Sequence, residues 1–182
     1  MDVQDAQREV RTVFVGGFWG QLVSSALWLT SAALGVWVSP RAAIIAVVLG
    51  GFLILPITQL ILRLTGGRTS VSKDNPLWDL GWQVAFTVPL GMLLLVPVAN
   101  FRLNWFYPAL MIIVGAHYLP FAFMYGMRMF IPLCAILVGG GVVIAMHFAG
   151  SFTLGAWVAG VTLFIFAWLG RATFQSEARR KT

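Results

Sequence analysis

A histidine, a tyrosine and a proline lie within four residues of one another in the apolar run MIIVGAHYLPFAFMYGMR, residues 111–128: His117, Tyr118 and Pro120. Each is awkward in a helix that faces lipid. An imidazole is the ordinary side chain that titrates near neutral pH, and it can relay a proton, bind a ligand or bridge two helices. Pro120 has no N–H to give to the carbonyl of Ala116, so the backbone beside His117 keeps a spare acceptor. The Tyr118 hydroxyl adds a group that both donates and accepts. His117, Phe121, Met124 and Arg128 share one helical face, a stripe running from mid-membrane towards a surface, and Tyr125 follows close by. Two readings stand for His117. It serves a ligand, ion or proton site, or it is structural glue hydrogen-bonded to a neighbouring helix.

A second polar line is formed by Asp79, Gln83 and Thr87, four residues apart and therefore on one face. Asp79 also suits a helix N-terminus electrostatically. Gln21 and Ser25, with Gln59, add hydrogen-bonding groups in the same half of the chain's apolar runs. Together these side chains predict a cytoplasm-facing pocket with His117 near its floor. The candidate ligand-binding set is His117, Tyr118, Gln83, Thr87, Gln21, Asp79 and Tyr125.

Other chemistries find no support. His147 falls at the far end of its run, and its depth differs from that of His117 by more than about 10 Å, too far for both to ligate one haem iron. Two separated histidines and the single Cys134 make no metal cluster, and Cys134 reads as a packing residue. No phosphate-cradling glycine loop, nucleophile elbow or zinc-protease motif occurs, so the reading leans away from an enzyme and implies no cofactor. No Lys, Arg, Asp or Glu lies near a span centre, where coupled pumps usually place one.

The elements that must position these residues follow from composition. The chain is 59% hydrophobic and 10% charged, whereas soluble domains run at about 45–50% and roughly 25%. Lipid is the expected solvent. Apolar runs at roughly 13–38, 41–63, 79–98, 105–127, 129–148 and 152–170 each approach the ~20 residues that cross a bilayer. The predicted fold is all-α, a six-span transmembrane helix bundle forming one domain over 13–170. Residues 1–12 precede it as a polar segment, with acidic residues that argue against a signal peptide, and 171–182 form a basic tail. One helix from Trp105 to Phe148 would be about 66 Å long, so the chain must turn near Gly126, Arg128 and Pro132.

The net charge of +6 is dispersed at span ends rather than gathered in a patch, which excludes nucleic acid as a partner. With six spans, ten Lys and Arg residues fall on the side of the termini and two, Arg41 and Arg102, on the other. The positive-inside rule then puts both termini in the cytoplasm. Gly16, Gly20 and Ser24, and the pairs Gly155–Ala159 and Ala156–Gly160, repeat every four residues. Such patterns serve internal packing or a homo-oligomer interface. Trp37, Trp78, Trp82, Trp105 and Trp168 read as an aromatic belt with no binding role.

The run GAHYLPFAFMYGMRMF, together with NPLWDLG opening the third span, resembles small bacterial six-span integral membrane proteins over the middle third of the chain. The resemblance implies an inner-membrane home and carries no activity or catalytic residue. Three functions fit the residues: small-molecule binding or transport, a structural or accessory membrane subunit, and an intramembrane enzyme acting on lipid with His117 as its base.

Overall fold

A computed structural model describes residues 1–179, with side chains through Ser176. The order is α1 (Val3–Val13), α2 (Phe18–Trp37), α3 (Pro40–Leu64), α4 (Leu77–Met92), α5 (Leu95–Phe101), α6 (Phe106–Met124), α7 (Phe130–His147) and α8 (Leu154–Arg179), with no strand among the described residues. Five segments are long and apolar enough to cross a membrane, and α1 with α2 makes a sixth if that bent pair is one span. The all-α multi-pass architecture therefore stands. Arg180 and Lys181, which enter the charge count, lie outside the described residues.

The breaks have local causes. Ser39 caps α3, its hydroxyl accepting from the Ala42 N–H at 3.1 Å, and Pro40 fills the first helical position. α6 ends three residues before the expected 127, because Gly126 adopts φ +60° and the N–H of Met127 turns back to the carbonyl of Ala122. Arg128 is thereby taken off the His117 stripe. The third span is interrupted at Leu93–Leu94, where the ring of Pro97 crowds the Leu93 carbonyl and offers it no N–H.

The first span departs most from expectation. Val15, Gly16 and Gly17 all have positive φ, at 51°, 64° and 83°, and α1 is bent by 64° from the helix that follows. A run of left-handed residues needs glycine at most of its positions. A β-branched valine there marks a segment held by its surroundings.

Those surroundings are the ends of other helices. Gln7 donates to the Phe123 carbonyl and Arg11 to the Tyr125 carbonyl, each at 2.6 Å. Glu9 accepts from Arg68 at 2.9 Å, from the Ser72 N–H at 2.9 Å and hydroxyl at 2.8 Å, and from Asn75 at 2.9 Å. The Asn75 amide foremost, then Ser72 and the Arg68 guanidinium, hold the Glu9 carboxyl down at about 2 against the opposing pull of desolvation. α1 is thus strapped across one end of the bundle.

The core is built where small residues let helices close. A side chain on Gly141 would sit 2.6 Å from the Pro108 carbonyl oxygen, and one on Gly160 would sit 2.7 Å from Leu29. Ser25 donates to the Gly160 carbonyl at 2.8 Å, and Ser31 donates to that of Ala43 at 2.8 Å while facing the Tyr107 hydroxyl. These bonds tie α2 to α8, α3 and α6. The α3 and α4 helices are left at the margin.

Candidate functional site

Between that margin and the core lies a cavity of about 310 Å³. α2, α3, α4 and α6 wall it, with Phe130 of α7 at one side. Val10 and Phe14 of the α1 strap, with Val71 from the 65–76 connection, lie across the end of the bundle that carries α1. The lining is overwhelmingly aliphatic and aromatic. Its polar groups are few: Gln21, Ser24, Thr58, His117, Tyr118 and Tyr125, besides the indole N–H groups of Trp28, Trp78 and Trp82. No Asp, Glu, Lys, Arg or Cys is among the described residues that line it.

His117 is fixed in orientation. Its Nδ1 lies 2.8 Å from the carbonyl oxygen of Val84 on α4. A carbonyl only accepts, so Nδ1 carries the proton and Nε2 of the neutral ring is the acceptor. The Thr87 hydroxyl donates to the same Val84 oxygen at 2.6 Å. The histidine therefore ties α6 to α4 and presents its other nitrogen within the cavity lining. The ring also lies against Phe121, 4.8 Å between centroids.

Tyr118 and Tyr125 enter an aromatic group with Phe121 and Phe130. Tyr118 stacks on Phe130, with an interplanar angle of 8°, and its hydroxyl faces Ser24. Gln21 stands beside this group. The space a side chain on Gly17 would take lies 3.4 Å from the Gln21 amide nitrogen, 3.4 Å from Phe130 and 3.8 Å from Tyr125. Gln21 is 3% exposed, and neither its oxygen nor its nitrogen has a hydrogen-bond partner. A buried primary amide without partners is costly, by about 1–3 kcal/mol.

The structure brings together Gln21, His117, Tyr118 and Tyr125 of the predicted set. It does not bring in Asp79, Gln83 or Thr87, which are exposed on the face of α4 turned from the cavity. Thr87 touches the site only through the Val84 carbonyl. Ser25 is spent on helix packing, and exposed His147 ends α7 far from the cavity lining. Among the described residues no group of His, Cys, Asp and Glu could hold a metal.

The lining residues outside the predicted set include Ser24, Thr58, Trp28, Trp78 and Trp82. Trp28 did carry a signal, since it follows Gln21 and Ser24 at helical spacing on one face. Trp78 and Trp82 are indistinguishable in sequence from belt residues.

Fold and cavity together define a multi-pass membrane protein with an internal, mostly apolar chamber. The chain belongs to DUF7010, a family of unknown function, whose profile matches residues 3–172. No curated protein and no solved structure matches it.

Proposed function

We propose that this protein binds a small molecule in the chamber beside His117 and carries it within or across the membrane. One observation carries the reading: the unpartnered Gln21 amide, buried in the wall of a cavity that His117, Tyr118 and Tyr125 also line. Binding cavities are concave and mainly apolar, with a few placed polar groups, at about 300–1,000 Å³. Pro56 and Pro89 interrupt hydrogen bonding in α3 and α4, a feature of transport helices. We place residues 13–170 in the cell membrane as one domain with both termini in the cytoplasm, on the strength of the charge asymmetry. The pocket then lies on the cytoplasmic side with α1 closing its mouth.

Cysteine substitution tests the chamber. A membrane-permeant thiol reagent should label cysteines placed at Ser24 and Thr58 and spare one at Ser31, which is sealed against Tyr107. Equal protection at all three positions would refute an accessible cavity. His117→Ala tests the role: ligand-induced stabilisation should vanish while insertion persists. A lowered melting temperature with ligand response intact would make His117 structural glue between α4 and α6.

A second reading has its own support. Asp79 and Gln83, exposed on the outward face of α4, favour contact with a partner subunit in the membrane.

A further inference from the structure

We infer that the molecule held in this chamber is an uncharged single-chain lipid with a hydroxyl or carbonyl head, entering sideways between α3 and α4. The inference rests on the binding function proposed above and goes on to name the class of ligand.

The lining is graded along the bundle axis. Gln21 and Tyr125 lie nearest the α1 end, with Ser24 and Tyr118 further along towards His117. Beyond them the wall continues through Val47, Met92 and Leu110, all apolar. His117 lies about 12 Å deeper than Tyr125 along α6, at the inner limit of the polar groups. A molecule matching this gradient has a polar head at one end and a hydrocarbon chain at the other. Its orientation matches that of lipids in the surrounding leaflet.

The head must be neutral. The lining contains no Lys or Arg to meet a phosphate or carboxylate, and no Asp or Glu to meet an amine. A charge buried without a counterion is far more costly than a buried hydroxyl. Gln21 lines the chamber with an amide whose donor and acceptor are both unpartnered and lie just beneath the wall, so a turn of its side chain brings them to the head group. One hydroxyl can satisfy both, accepting from Nε2 and donating to Oε1.

The route lies in the membrane plane. α3 and α4 approach where a side chain on Gly51 would lie 3.6 Å from the tip of Met92. Towards the α1 end, Phe52 and Trp82 both line the cavity and are largely accessible, by 60% and 41%. Residues that face both ways mark an opening. Around it the outer surface is apolar, so the opening meets acyl chains rather than water.

The test uses the full chain in phosphatidylcholine nanodiscs with a monoacylglycerol carrying a photoreactive diazirine in its acyl chain. Adducts should map to Val47, Val114 and Leu110. They should fall about tenfold in Gln21→Leu, which removes the head contact, and in Gly51→Phe, which blocks the opening. Melting curves confirm that both variants fold, and either one alone suffices. Equal labelling by the same chain bearing a phosphate head would overturn the neutral-head assignment. Adducts confined to outward residues such as Leu49 and Val143, unchanged by both substitutions, would overturn the lipid ligand altogether. If the thiol reagent still reached Ser24 and Thr58, the binding chamber would survive that result.

Discussion

The two sides of this bundle are both built from apolar helices and behave as different materials. In α8 half of the most apolar window is buried, 50%, whereas in α3 and in the α4–α5 segment the figure is 11%. α3 nevertheless contains the window of highest mean hydropathy among the five single spans. In water the most apolar helix would be the innermost. In lipid it is free to lie outside, and burial is decided by close fit and hydrogen bonding instead. The α2–α6–α7–α8 side has that fit, with glycines against backbone and serines bonded across helices. α3 is fitted to α2 in the same way, through Gly50 against Leu27 and the Ser31–Ala43 bond, but it does not close on α4, and the chamber lies where that closure is missing.

The contrast is broken most directly by filling space on each side. Gly141→Ala puts a methyl 2.6 Å from the Pro108 carbonyl oxygen, against backbone that cannot step aside. It should destabilise the protein by about 1–3 kcal/mol, read from thermal unfolding in detergent. Gly51→Ala meets only the flexible end of Met92 at 3.6 Å and should be neutral or stabilising by up to about 1 kcal/mol. Equal losses at the two positions would erase the distinction between a tight and a loose side.

Gln21→Leu sharpens it. Replacing an unpartnered amide by an isosteric apolar group should raise the melting temperature of the ligand-free protein, by the equivalent of about 1 kcal/mol, while abolishing ligand response. A gain of stability with loss of binding is the signature of a site maintained at a structural cost. A melting temperature that fell would show that the amide already has a partner in water.

The smallest effect concerns the strap that closes the chamber. The Glu9 carboxyl is lowered from 4.5 to about 2 in the folded chain. A depressed acid contributes stability that is fully present above its unfolded value and is lost as pH falls. Protease access to α1 should therefore rise as pH drops from 4.5 towards 2. Glu9→Gln should show partial access already at neutral pH and no further change through that window.

Part of the candidate site was legible because polar side chains are conspicuous in apolar surroundings. Gln21, His117, Tyr118 and Tyr125 stand out for that reason, and the cavity contains all four. Asp79, Gln83 and Thr87 stand out equally, yet they face away. Nothing in their spacing could reveal this. A period of four places residues on one face of a helix without saying where that face looks. The tryptophans of the wall were hidden by the opposite ambiguity, since membrane interfaces and binding cavities use the same residue.

The sequence by itself determined the solvent, the apolar runs and several of the helix ends. Those follow from local physics: the length of an apolar run, a serine cap before Pro40, the left-handed φ open to Gly126, the missing N–H of Pro97. Only the tertiary structure decided which helices close on one another and which stand apart. That depends on whether a glycine on one helix meets a carbonyl or a methyl on the next, a relation between distant residues. When every face of a helix is compatible with lipid, hydropathy carries no instruction about it.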